Sequence, residues 1–256
     1  MYPFKRLKKL LLQSIMDRPY SNKQILHERY EIERVIGQGS YGITYVCIDL
    51  RDKRRCVVKQ MRRTKRKEST EMIDREINIL RKLDHPNIPN LIDIFTFQKE
   101  KFIVMEYMKG HNLEELIFHK TKTFSEKESL LLIKQLVLTI DYIHKKGVAH
   151  GDIRIPNVIL NDADVYLIDF GLANSDHTDK EAAAQDDFYD LGDFLLFLLY
   201  SSHDSISKKD RPWTEELTLS EPTVILLKRL LSINQPYRKS SEVLIDIENA
   251  IATLTN

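Results

Sequence analysis

The chain predicts an α+β fold in two lobes, a small β-rich one with a single helix and then a mainly helical one. Three observations carry that expectation. From Tyr30 to Met108 short β-branched runs alternate with Gly or charged turns. From Asn112 onward apolar positions recur at helical spacing. Formal charge divides along the chain as well: residues 1–100 hold 22 Lys/Arg against 13 Asp/Glu, and residues 101–256 hold 17 against 25. Such asymmetry between halves marks two surfaces of different character. The expected organisation is an N-terminal amphipathic extension over 1–27, a first lobe over 28–108 and a second over 109–256.

Composition excludes several classes. At 256 residues, 42% apolar and 30% charged, the chain is long and apolar enough to bury a core, so disorder along its whole length is not expected. Cys47 and Cys56 lie in apolar, strand-like sequence and form neither a disulfide framework nor a metal-ligand set. A reducing cytoplasm is therefore the expected location. The longest purely apolar run, "FLLFLLY" over 194–200, is far shorter than the roughly 20 residues of a membrane span. The basic start lacks a signal peptide's long apolar stretch and cleavage site.

The elements follow in order. Phe4, Leu7, Leu11 and Ile15 share one face of a short helix, with Lys5, Lys8 and Lys9 away from it, and Pro19 ends it. "YEIERVIG", "ITYVCIDL" and "RCVVKQM" read as three strands, the first two joined by "GQGSYG". Met72, Ile73, Ile77, Leu80 and Leu83 fit one amphipathic helix, with Ser69 or Thr70 as its expected cap. "LIDIFTFQ" and "KFIVMEYM" complete a five-stranded antiparallel sheet. In the second lobe "EKESLLLIKQLVLTIDYIHKKG" is a long helix stopped by Gly147. Two short strands, "VIL" and "VYLID", come next, and then an apolar helix, "DDFYDLGDFLLFLLYSS".

Several stretches carry chemistry. "GQGSYG" places glycines at 37, 39 and 42. A dinucleotide fingerprint would continue into a helix. Here a strand follows, so a hairpin flap whose backbone N–H groups approach phosphate oxygens fits better. Lys59 is charged within an apolar strand; a snorkelling edge lysine is one reading, and a desolvated ammonium paired with Glu76 and phosphates is the other. "HGDIRIPN" and "LIDFG" supply Asp152, Asn157 and Asp169. Asn157 and Asp169 are hard oxygen donors suited to Mg²⁺, which takes few protein ligands when phosphates provide others. Asp152 is left to accept a hydroxyl proton, and Arg154 can set positive charge against a transferring phosphoryl group.

Taken in order, the Gly-rich hairpin, strand Lys, helix Glu, "HPNI", "VMEYMKG", "HGDIRIPN" and "DFG" resemble a eukaryotic-like (Hanks-type) serine/threonine protein kinase of the small stand-alone bacterial type, over roughly residues 30–250. The resemblance implies the two-lobed protein-kinase-like fold, ATP and Mg²⁺ as cofactors, and a protein acceptor bearing Ser or Thr. It implies that Ile36, Gly37, Gln38, Gly39, Ser40, Tyr41, Gly42, Ile43 and Thr44 cover the nucleotide. It further implies that Lys59, paired with Glu76, holds the α- and β-phosphates, and that Met105 gates the adenine pocket. Glu106 to Met108 would present backbone groups to adenine, Asp152 would be the base with Arg154 beside it, and Asn157 and Asp169 would hold Mg²⁺. Asp187 would brace the catalytic loop.

The pattern departs in two places. Gly151 stands where the family commonly has an Arg that holds a phosphorylated activation loop, so switching of that kind is not expected. No Ala-Pro-Glu separates "DFG" from "DFYDLG", and Asp169 and Asp187 are only 18 positions apart. Arg238 resembles the Arg that pairs with the missing Glu, and Glu181 is the candidate substitute. The shortened segment leaves two further readings: a kinase-like phosphotransferase for a small hydroxyl-bearing molecule, and a nucleotide-binding scaffold. The basic stretches "KRLKK" and "RRTKRK" lack interleaved aromatics, so no nucleic-acid partner is expected, while peripheral lipid contact through the N-terminal helix stays open.

Overall fold

The structure, a computed structural model, describes residues 19–39, 42–61, 66–175, 180–203 and 211–254. The expected helix over 4–16, Ser40, Tyr41 and most of "RRTKRK" lie outside these. The chain forms two compact units: residues up to Arg81 with Pro89–Tyr107, and Lys82–Ile88 with Met108 onward. Asn87 explains why the short piece joins the second unit. Its amide donates to the Val165 carbonyl at 2.7 Å, and its own carbonyl accepts from Leu167 N–H at 2.9 Å.

The first unit is an antiparallel sheet of six strands, not the expected five: β1 (Ile25–Leu26), β2 (Tyr30–Gln38), β3 (Gly42–Asp49), β4 (Arg55–Met61), β5 (Leu91–Phe97) and β6 (Glu100–Glu106), in the order β1-β2-β3-β4-β6-β5. The extra strand β1 escaped the pattern because its turn uses His27 (φ 48°) and Glu28 (φ 55°) in left-handed backbone. Asn or Gly would normally signal such a turn. Alternation buries one face: Ile32, Ile43, Tyr45, Cys47, Cys56, Val58, Phe102 and Val104 form a continuous core. Both cysteines sit in it as free thiols, and burial pushes Cys56 up to about 12.

Helix α1 (Arg66–Leu80) starts three residues before Ser69, so neither Ser69 nor Thr70 caps it. The run Arg66-Lys67-Glu68 consists of strong helix formers and extends the helix backward. Gly42 is required by β4. A Cβ there would fall far inside van der Waals contact with the Gln60 carbonyl oxygen, whereas one on Gly39 meets nothing within 4 Å.

The second unit packs four longer elements. Helix α2 (Glu126–Lys145) opens on a capping box in which Ser125 Oγ accepts from Glu128 N–H (3.3 Å) and Glu128 Oε2 accepts from Ser125 N–H (2.8 Å). A three-stranded sheet, β7 (His111–Asn112), β8 (Val158–Asn161) and β9 (Asp164–Leu167), carries the loop of interest. Helix α3 (Lys180–Tyr200) begins six residues before the expected Asp186, because "KEAAAQ" is helix-forming. Its Phe188, Leu191, Phe194, Leu195 and Leu198 are buried; the helix packs on α2 and on the later α5 (Glu221–Leu230), which follows the single turn α4 (Trp213–Glu216), while α6 (Ser240–Thr253) packs on α2 and α5. Among the described residues no helix is long and apolar enough to cross a membrane.

Gly42→Ala is expected to destabilise the first unit by about 2 kcal/mol through overpacking, and Gly39→Ala to leave it unchanged. Thermal unfolding of the two variants side by side checks this.

Candidate active site

In the first unit the hairpin of β2 and β3 presents its glycines differently. Gly42 is committed to β4, while Gly39 stands open with its N–H on the Gly42 carbonyl at 3.0 Å. Ile36 and Gln38 are exposed and Thr44 is half-buried beside Lys59 in the register. Ile43 turns into the core, so its side chain leaves the expected nucleotide set. Period-two alternation causes this: Ile43 and Tyr45 face inward and Thr44 outward.

Lys59 Nζ lies 2.8 and 3.0 Å from the two Glu76 oxygens, with side chains 9% and 2% exposed. The snorkelling reading is thereby excluded. An ammonium this far from water requires a carboxylate, and the pair fixes α1 against β4. Lys101 makes a second link, to Asp74 of the same helix. Met105 is buried at the end of β6. Glu106 spends its N–H on the Asn90 carbonyl (2.9 Å), which removes that group from the backbone set expected to meet a ligand, and its carboxylate accepts from the Asn90 amide at 3.0 Å.

In the second unit the loop 150–157 hangs from two carboxylates of α3. Asp187, fully buried, accepts from His150 N–H (2.9 Å) and Gly151 N–H (2.8 Å) and lies 2.7 Å from His144 Nε2. Asp190 accepts from Ile153 N–H at 3.0 Å. Asp152 N–H donates to His150 Nδ1 at 3.3 Å, so the ring carries its proton on Nε2, facing the Ile168 carbonyl. Burial depresses the His150 pKa, which agrees with a neutral ring. Four successive backbone N–H groups are thus satisfied by side chains.

This frame positions the chemistry. Asp152 accepts from Asn157 Nδ2 at 2.7 Å and from Arg154 Nε at 2.9 Å. The Asn157 amide also donates to the Asp152 carbonyl at 2.9 Å, so both its hydrogens point at Asp152 and its Oδ1 points elsewhere. Ile168 N–H donates to the Asn157 carbonyl at 2.9 Å, tying Asn157 to the residue before Asp169. Asp169 has φ 64°, a left-handed conformation that a non-glycine residue adopts at a cost of about 1–2 kcal/mol. Strain of this kind gathers where function fixes a side chain. Burial and the neighbouring Asp187, Asp152 and Asp193 push Asp190 up to about 6.

Gly151 has φ 71°, and a Cβ there would sit 3.3 Å from the Leu172 carbonyl. Glycine therefore removes backbone strain as well as the regulatory side chain. The Glu181 substitution is realised: Arg238 Nε lies 3.3 Å from its Oε1 on the exposed first turn of α3. Sequence reasoning missed Asp190 and His144. The i, i+3 spacing of Asp187 and Asp190 on one helix was the available signal.

Residues 30–190 match the family model described as protein kinase domain, and the chain belongs to that family. It is 42% identical over 253 residues to the Bacillus subtilis (strain 168) protein named probable serine/threonine-protein kinase YbdM, covering 96% of this chain and 99% of that one. It is 32% identical over 164 residues to human NUAK family SNF1-like kinase 1, covering 63% of this chain and 25% of that one. It is 34% identical over 158 residues to Schizosaccharomyces pombe serine/threonine-protein kinase cds1, covering 59% and 34%.

The folded state binds the Asp190 proton more tightly than the unfolded chain does. Its contribution to stability is present below the ordinary carboxylate range and lost as pH rises through about 6. Asp190→Asn, which keeps an acceptor for Ile153, is expected to be more stable than the parent at pH 8 by about 1–2 kcal/mol, discounted for half exposure, and not at pH 3.5. Urea unfolding at the two pH values checks the sign.

Proposed function

We infer that the chain is a serine/threonine protein kinase that transfers the γ-phosphoryl group of ATP to a protein hydroxyl. The observation that carries this reading is the Asp152 carboxylate held by Asn157 and Arg154, in a loop fixed through Asp187 and Asp190, within a chain of the protein kinase family. The name of the Bacillus subtilis relative, which matches nearly end to end, supports Ser/Thr as acceptor.

Asp152 is the base. One of its carboxylate oxygens takes the acceptor hydroxyl's proton as the oxygen attacks the γ-phosphorus and the bond from that phosphorus to the β–γ bridging oxygen breaks, with ADP leaving; the base contributes about 10²–10⁴-fold. Arg154, 63% exposed, is free to exchange Asp152 for the phosphoryl oxygens. Lys59, held straight by Glu76, binds the α- and β-phosphates. The hairpin's Gly37 and Gly39, without a Cβ, let the backbone come close to phosphate oxygens, with Ile36, Gln38, Ser40, Tyr41, Gly42 and Thr44 around the nucleotide. The Glu106 carbonyl and the Met108 backbone meet adenine.

The donor set fits Mg²⁺. With its amide hydrogens committed to Asp152, Asn157 offers only an oxygen, and Asp169 offers a carboxylate held by its own backbone conformation. Mg²⁺, if held by Asn157 and Asp169, would supply positive charge to offset that of the phosphates. Two free, buried cysteines support a reducing cytoplasm as location.

One observation favours a small-molecule acceptor instead: α3 begins at Lys180, so little chain after Asp169 remains for a peptide platform. A γ-labelled ATP assay separates the readings. The parent is expected to label itself or casein on Ser or Thr, with Asp152→Asn losing at least about 10²-fold of the rate while keeping ATP affinity. Label only on small hydroxyl acceptors would establish the other reading, and an Asp152→Asn variant with ordinary turnover would remove Asp152 from its role. Lys59→Ala is expected to lose transfer through misplaced phosphates, visible as a raised KM for ATP together with a lowered kcat.

A further inference from the structure

Strand β4 carries buried polar side chains on both of its faces at consecutive positions. Lys59 turns to Glu76 of α1, and Gln60, next along the strand, turns to the opposite face. Gln60 is 3% exposed and sits where the alternation of Cys56 and Val58 calls for an apolar residue. Both ends of its amide are used. The Oε1 accepts from the Tyr45 hydroxyl, and the Nε2 donates to Glu100 Oε2 at 3.1 Å. These partners are buried as well, and burial pushes the Tyr45 hydroxyl up to about 12, so it stays a donor.

Tyr20 closes the cycle. Its backbone N–H donates to Tyr45 Oη at 3.1 Å, and its own hydroxyl donates to Glu100 Oε2 at 2.8 Å, with Gln98 Oε1 beside it at 3.3 Å. The Tyr20 ring packs against Phe97 and Phe102, with centroids 6.0 and 6.2 Å away. Tyr20 follows Pro19 and lies five residues before β1, so the N-terminal extension enters the fold at this point.

Apolar side chains of the same shape would fold at least as well as such a cycle. What the cycle adds is a single arrangement. A buried donor or acceptor left without its partner costs about 1–3 kcal/mol, so Gln60 cannot turn or slide without orphaning Tyr45 and Glu100. Lys59 is one peptide away on the same strand and moves with it. Glu76 fixes where the ammonium ends, and the cycle fixes the backbone from which it reaches.

We propose that Tyr20 is a positioning residue for phosphoryl transfer: through Glu100 and Gln60 it holds the stretch of β4 from which Lys59 reaches the α- and β-phosphates. The proposal rests on the kinase reading of Lys59 and deepens it, because the entry point of the N-terminal extension joins the parts that hold the nucleotide. Tyr30 provides the comparison that separates positioning from plain stability. Its hydroxyl donates to Asp93 Oδ2 at 2.7 Å, the same kind of bond in the same unit, yet it sits on β2, which does not pair with β4.

The test is steady-state transfer by the full chain with γ-labelled ATP and casein, for the parent, Tyr20→Phe, Tyr45→Phe, their double variant, Tyr30→Phe and Lys59→Ala. Tyr20→Phe and Tyr45→Phe each remove one hydroxyl from the cycle and keep the aromatic ring. Each is expected to raise KM for ATP about tenfold, since a misplacement of about 1 Å suffices for a larger loss, and to leave KM for casein unchanged. The double variant is expected to stay within about twofold of the poorer single one, because both act through Gln60. Tyr30→Phe is expected to lower the thermal midpoint as much as Tyr20→Phe does while keeping the parent's KM for ATP. A KM for ATP that Tyr20→Phe leaves unmoved, or that Tyr30→Phe raises equally, overturns the proposal. Should Tyr20→Phe not fold, Tyr45→Phe carries the same comparison. The kinase reading fails separately. No labelling of any protein by the parent, or full transfer by Lys59→Ala, removes that reading and the positioning role with it. Labelling that Lys59→Ala loses, with Tyr20→Phe indistinguishable from Tyr30→Phe, sinks the positioning role alone.

Discussion

The loop over 150–157 is held chiefly by one buried carboxylate, Asp187, with Asp190 as its second anchor. Asp187 has no access to water, and an ionised carboxylate there is tolerable only with donors all round it. It finds them in the backbone of His150 and Gly151 and in the His144 ring. The arrangement is reciprocal. Two loop N–H groups would be orphaned without Asp187, and Asp187 would be an uncompensated charge without the loop. Breaking either side leaves the other unpaired, a penalty larger than the net worth of the intact contact. The anchor is rigid in turn, because the neighbouring residues on α3 are packed on every inward position from Phe188 to Leu198. Asp152, two residues from this anchor, inherits that rigidity. Its two partners then set where its oxygens point.

The first unit repeats the principle with a different pair. Lys59 and Glu76 are more buried than a stabilising surface bridge would be, and an apolar replacement of the same shape would fold at least as well. What such a pair provides is register. The helix can rotate or slide only by uncovering a charge, so α1 has one seat against β4. Exposed Asp74, two positions before Glu76, and half-buried Lys101 add a weak second link between α1 and β6.

Much of this was legible in the residues because the chemistry tolerates few substitutes. The glycine hairpin, Lys59, Glu76, Asp152, Asn157 and Asp169 are each required by a charge or a close approach, and their order along the chain is distinctive. Glu181 was legible too, since removing one partner of an Arg leaves few acids able to replace it. Strand β1 was not. Two residues pairing through a turn of left-handed His and Glu leave no compositional mark. Ile43 was assigned to the nucleotide by its place in the motif, while the pleat of β3 turns it into the core. Asp190 was hidden for another reason: its importance lies in one backbone N–H across the fold, and backbone donors have no letter in the sequence. The start of α3 was misplaced because "KEAAAQ" was read as connector, although its helix propensity exceeds that of the apolar stretch after it.

The shortened connector and Gly151 then have one physical consequence. In a chain whose loop is ordered by a phosphorylated segment, an arginine before the base carries that segment's influence to the loop. Here glycine takes the left-handed conformation without strain, at a point where the Leu172 carbonyl comes close. Among the described residues a backbone bridge, Ala149 to Asn174, with both bonds at 3.0 Å, ties the start of the segment to the residue before the loop. Every N–H from His150 to Ile153 already has a partner supplied by α3 or by His150 itself. The loop's backbone from His150 to Ile153 is thus held by α3 and by His150 itself, and not by a side chain at position 151.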